Sequence, residues 1–204
     1  MCGLAAVGAN LYPAPDGKVT SIHSLQQSFR DWVTSSTAPQ QYHIIYGWGY
    51  DDSQLAEQRH PTRDDLDEIS KELPVMAIHQ SGHLRVVNSK ALELLGFTAQ
   101  SKDPAGGAIR RRPDSSEPNG VLEENAHIMA YLRLVESTLA GAKSLNIAVA
   151  GQALYARYGY TTCQDGASTP QNIAGFIAAA ESGQLKSDVA AYMFAPTVKQ
   201  AMEY

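Results

Sequence analysis

The chain reads as an α/β protein with an α+β segment set into it, and three features carry that reading. From Ser144 onward, helix-like and strand-like stretches alternate with short links, the rhythm of a parallel βα layer. Residues 41–127 follow a different rhythm, short strands and turns, between two helix-rich flanks, 1–40 and 128–204. The third feature is bulk: 204 residues with 44% hydrophobic and 18% charged side chains suffice for one substantial core and exclude a disordered chain.

Taken in order, "SIHSLQQSFRDWV" spaces Ile22, Leu25, Phe29, Trp32 and Val33 along one helical face, with Ser21 placed to cap it. "YHIIYGWGY" is aromatic and β-branched, which predicts a strand. "RDDLDEIS", opened by Pro61 and Thr62, predicts a short helix or turn with acids at its start. "PVMAIH" predicts a second strand, and "NSKALELLG" a helix capped by Asn88 or Ser89 and stopped by Gly96. Residues 98–120 are dense in Gly, Pro, Ser and Asp, so a long loop or a ribbon around "GGAIRR" is expected. "VLEENAHIMAYLRLV" has helical spacing through Leu122, Ala126, Met129 and Leu132. Beyond it come a helix ended by Gly159, a short strand "YTTCQDG", a helix "TPQNIAGFIAAAESGQL" and a strand "SDVAAYMFAP".

The net charge of −5 offers no electrostatic footprint for nucleic acid or an anionic membrane, and Arg110-Arg111-Arg112 reads as a solvated loop. Two cysteines, Cys2 and Cys163, make no CxxC pair, so a reducing cytoplasmic setting is the expectation. No apolar run approaches the roughly 20 residues that span a bilayer. The start "MCGLAAVGANLY" is apolar from residue 2 and reads as a segment that belongs behind something upstream.

His79 and His83 stand four residues apart, the spacing with which two imidazoles clamp zinc from one helical face. That clamp needs helix, and Gln80-Ser81-Gly82 after a strand disfavours one. The expectation is therefore no metal on this pair, with the imidazoles either bonding locally or facing a substrate. In "YGWGYDD", Gly47 and Gly49 allow close passage of a ligand or another chain. Asp51 and Asp52, as neighbours on a strand, are expected on opposite faces, and a turn role for one is the plain alternative. Asp165 ends a strand read as buried, where a βα barrel places functional groups, though a carboxylate there also suits a helix cap. Glu123 and Glu124 fit the first turn of a helix, which accounts for one acid comfortably and leaves the other open.

Five ordered fragments, "GYDDSQLAEQRHPTRDDLDEIS", "PVMAIHQSGHLRVVNSKALELLGF", "DPAGGAIRR", "EPNGVLEENA" and "GYTTCQDG", resemble the metal-dependent amidohydrolases of the YtcJ type, which include N-substituted formamide deformylases. The resemblance runs over about residues 1–195. It implies part of a (β/α)8 metallohydrolase barrel, with residues 1–40 and 128–204 as framework and 41–127 as an inserted α+β subdomain. It also implies a small-molecule amide or formamide substrate, C–N bond hydrolysis, and zinc or another divalent metal as cofactor. By the same resemblance His83, Asp51, Asn88 and His79 fall on the substrate-binding side, and Asp165 and Glu124 near the reacting centre. The family's HxH ligand pair does not occur in the 204 residues. The expectation is thus an internal slice of such an enzyme, holding no metal of its own and inactive alone. The alternative is a non-catalytic assembly module that pairs through open strand edges, as a homo-oligomer or with a partner chain.

Overall fold

The computed structural model describes residues 6–136 and 142–194. They fall into two compact units, one of residues 8–136 and another that includes residues 142–194. Cys2 and the first five residues of the apolar start lie outside the described set, while Ala9 and Leu11 of that start are buried in the core.

The first unit is built on a six-stranded mixed sheet. Its strands are β1 (Ala9–Asn10), β2 (Ile45–Tyr50), β3 (Val75–His79), β4 (Leu84–Val87), β5 (Gly107–Arg111) and β6 (Pro118–Glu124), in the spatial order β1-β2-β3-β4-β6-β5. The first three run parallel, and β4, β6 and β5 follow antiparallel. Every residue of β2 is buried, as expected of a central strand covered on both faces.

Helix α1 (Ile22–Ser35) lays Ile22, Leu25 and Phe29 into the core beside Ile45, Val75 and Val121. Ser21 caps it as the sequence predicts, in a reciprocal bond pattern with Ser24. A short helix α2 (Ala38–Tyr42) leads into β2, and α3 (Arg63–Asp67) starts at Thr62 as expected. Helix α4 (Ser89–Leu95) is capped by the Asn88 side chain and ends on Gly96 in the left-handed region, again as read from the sequence.

One prediction in this unit fails. "VLEENAHIMAYLRLV" is not helical from its start: Val121 to Glu124 belong to β6, and the helix α5 (Asn125–Ala130) begins only after them. Glu123 and Glu124 are therefore not first-turn helix acids. Burial between β4 and β5 outweighs the helical spacing, since Leu122 pairs with Arg85 on one side and Ile109 on the other. The close passage at Gly47 and Gly49 also has an internal cause. A side chain on Gly47 would meet Leu11, and one on Gly49 would meet the Tyr12 ring.

His127 on α5 is buried beside the Arg85 guanidinium, which donates to the His127 carbonyl at 2.6 Å and lies over the Tyr131 ring. Burial, then the Arg85 charge, push the His127 imidazole from 6.5 down to about 3. The unfolded chain then takes up a proton near its ordinary value while the folded one refuses it. Stability contributed by neutral His127 is complete above about pH 6.5 and drains away as pH falls towards 3. Urea midpoints at about pH 7 and about pH 4 are expected to differ less in His127→Gln than in the parent. An equal pH slope in both proteins would remove His127 as the cause.

The second unit contains α6 (Ala142–Arg157), β7 (Thr162–Ser168), α7 (Pro170–Glu181) and β8 (Asp188–Met193), with β7 and β8 parallel. This is the helix–strand–helix–strand order predicted. Two details differ. Asp165 does not end its strand, which continues to Ser168, and of β7 only Cys163 and Ser168 are buried. Nor does Asp165 cap the following helix: Thr169 does, paired with Asn172. Among the described residues, no helix is long and apolar enough to cross a membrane.

Candidate functional site

The carboxyl ends of β2, β3 and β6 and the start of β4 lie at one end of the sheet, because β4 runs against its neighbours. In sheets with parallel strands this is where ligands collect. Asp51, Asp52, His79, His83 and Glu124 all emerge there.

Chain direction changes sharply after Tyr50. Asp51 caps a single 3-10 turn, Asp52–Gln54, accepting from the Ser53 backbone N–H at 3.0 Å and its hydroxyl at 2.7 Å. The turn role foreseen for one acid is thus real. The expected separation of Asp51 and Asp52 is not: strand alternation stops at Tyr50, and both carboxylates converge on His79. His79 Nε2 lies 3.1 Å from Asp52 Oδ1. The Ser81 backbone N–H donates to His79 Nδ1, so the ring proton sits on Nε2 and is donated to Asp52.

His60, at the end of the segment that follows the 3-10 turn, completes this corner. Its Nδ1 faces the Tyr50 hydroxyl at 3.2 Å and Asp52 Oδ1 at 3.5 Å. The rings of Tyr50, His60 and His79 stand edge to face, with centroids 5.2 to 6.1 Å apart. Burial lowers the His60 pKa, against the opposing pull of Asp52. Burial, then the Asp52 charge, raise that of Tyr50. No local pattern announces these contacts, since Asp52 and His79 are 27 positions apart.

His83 turns elsewhere. Gly82, with φ +76°, closes the β3–β4 turn, and His83 Nδ1 meets Glu124 Oε2 at 3.2 Å. Glu124 itself has φ 46° and ψ −119°, a strained conformation for a residue with a side chain. Its backbone N–H donates to the His83 carbonyl, and both side chains are largely exposed. Glu123 alongside is tied to Arg110. The i, i+4 histidines flank a turn between two strands, and each takes a carboxylate of its own.

Asn88, expected on the substrate-binding side, is used inside the fold. It is fully buried: its Oδ1 accepts from Val75 and Ala91 backbone N–H groups, and its Nδ2 donates to the Ser70 and Leu73 carbonyls. All four hydrogen-bonding positions of the amide are used inside the fold. Asp165 lies in the other unit, where its Oδ2 accepts from the Ser168 hydroxyl at 2.6 Å.

The chain belongs to the amidohydrolase family, whose model matches residues 2–203. Among curated relatives, it is 40% identical over 82 residues to the N-substituted formamide deformylase of Arthrobacter pascens, a match covering 40% of this chain and 15% of that protein. It is 42% identical over 66 residues to the protein LONG AFTER FAR-RED 3 of Arabidopsis thaliana, covering 32% of this chain and 11% of the relative. Its fold is similar to that of an uncharacterized metal-dependent hydrolase from Pyrococcus horikoshii, with a TM-score of 0.65 at 22% identity. That superposition takes in 94% of this chain and 34% of the archaeal one, so the chain spans about a third of its structural relative.

Proposed function

We propose that this chain forms the substrate-facing part of a hydrolase acting on the C–N bond of small amides or N-substituted formamides, with His83 and Glu124 lining the substrate site. The observation that carries this reading is the backbone of Glu124. A glutamate held at positive φ costs about 1–3 kcal/mol and persists where the surrounding fold, often for a functional reason, over-determines it. Here the His83 carbonyl and the β5 pairing of Glu124 with Gly107 fix that backbone, and His83 engages the side chain. A carboxylate and an imidazole at hydrogen-bonding distance, both open to solvent, can exchange a proton with an amide nitrogen or orient its carbonyl.

Membership of the amidohydrolase family and the 40% identity to a formamide deformylase support the choice of substrate class. The same reading takes residues 41–127 as an insertion between flanks 1–40 and 128–204, with β7 and β8 as strands of a barrel, in a cytoplasmic setting that leaves Cys163 a free thiol. The ligand pair HxH that the resemblance implies is not in the sequence, so no step is routed through a family metal.

The test is a proton–nitrogen NMR titration of the whole chain with a simple N-alkylformamide. Saturable shifts are expected at amides 81–84 and 123–126, and their loss in Glu124→Gln and His83→Ala. Shifts confined to other regions, or unchanged in both variants, would reject the assignment.

A further inference from the structure

We propose that Asp51, Asp52 and His79 form a binding site for one divalent transition-metal ion, Zn2+ by its donor set, at the carboxyl ends of β2 and β3. One ligand atom from each of the three lies within 4.8 Å of the others. The 3.1 Å between His79 Nε2 and Asp52 Oδ1 is close to the separation of two donors on one zinc, given bonds of about 2.0–2.1 Å.

Charge argues the same way. Two carboxylates, both partly buried, converge on one imidazole. Among the described residues neither is paired with a lysine or arginine; the ion-pair partners of Asp52 are His60 and His79. Arg110, the cation whose charge reaches Tyr50 and His60, is itself tied to Glu123. A divalent cation would offset both negative charges.

The donors are also held in place. Ser53 fixes Asp51 Oδ1, and Gln80 Nε2 faces its Oδ2 at 3.3 Å. The Ser81 hydroxyl lies 2.8 Å from His79 Nδ1. It can accept the Nδ1 proton once Nε2 turns to a metal, the outer contact that orients most ligating histidines. One nitrogen with two oxygens suits zinc or its first-row neighbours better than calcium or magnesium, which prefer oxygen alone. The site uses neither the sequence spacing of His79 to His83 nor an HxH pair, and it stands independently of the His83–Glu124 reading.

The experiment is isothermal titration of the tag-free, chelator-treated chain with Zn2+, supported by the visible spectrum of the Co2+ form. One equivalent per chain is expected. Outer contacts alone are worth about 10–100-fold in metal affinity, so Asp52→Asn and His79→Gln are each expected to weaken Zn2+ by about 100-fold or more. Asp51→Asn, in a surface turn, provides a third variant if circular dichroism shows either of the others unfolded. His83→Ala and Glu124→Gln are expected to bind zinc as the parent does. Absence of saturable binding, binding unchanged in the folded variants of Asp51, Asp52 and His79, or equal loss in His83→Ala would each overturn the site.

Discussion

Asn88→Ala is expected to lower the stability of the sheet-bearing unit by about 4 kcal/mol, taking roughly 1 kcal/mol for each of the amide's hydrogen bonds. The side chain joins three elements at once: it caps α4, fastens the start of β3 through Val75, and holds the segment before β3 through Ser70 and Leu73. Truncation leaves two donors and two acceptors without this partner at a fully buried position. Asn88→Asp keeps both accepted bonds but sets a charge against the two carbonyls, so it is expected to destabilise as well. Both tryptophans, Trp32 and Trp48, lie in this unit, so urea unfolding followed by their fluorescence reads the effect directly. A loss below about 1 kcal/mol would mean that water replaces the amide at little cost.

The second large effect is steric. Gly120 holds φ +100°, and a Cβ there would lie 2.4 Å from the Val87 carbonyl oxygen and 2.8 Å from the Arg63 backbone nitrogen. Neither atom can swing aside as a side chain could. Gly120→Ala is expected to cost about 3 kcal/mol or more, from the unfavourable φ together with the displacement of β6 from β4. Thermal melting and amide exchange at Val86 and Val121, which are paired across β4 and β6, are the readouts. An unchanged melting temperature with unchanged protection would show that the strands absorb a methyl group without separating.

These two residues also mark what a sequence can disclose. Asn88 was legible as a cap because capping is local: a short polar side chain ahead of "SKALELLG" has one obvious use. Its ties to Val75, Ser70 and Leu73 were not, since they depend on β3 and the preceding turn folding over it. The strands "IYGWGY" and "VMAIH" declared themselves through composition. The strand Pro118–Glu124 did not, because Leu122, Ala126, Met129 and Leu132 repeat at a helical period that only its flanking partners override.

The site divides along the same line. That His79 and His83 would share no helical clamp followed from Ser81 and Gly82. That Asp52 and His60 would gather around His79 followed from nothing local, because a 3-10 turn and the crossover through α3 intervene. The strain at Glu124 likewise arises where β6 gives way directly to α5, a junction that helical spacing concealed.

The β3–β4 turn has a kinetic consequence. β1 meets β2 through Ala9 and Gly47, β2 reaches β3 across some thirty residues of chain, and β4 waits for β6 across a comparable excursion. Two hairpins close short loops in the sheet, β5–β6 through residues 112–117 and β3–β4 through residues 80–83, and the β3–β4 hairpin has the shorter link and the more buried strands. That hairpin is expected to nucleate folding, with Met76, Ala77, Val86 and Val87 contributing to the rate-limiting ensemble and the parallel strands adding later. His79 and His83 bound its connecting turn, so the first native fragment of the chain already carries one imidazole from each proposed site.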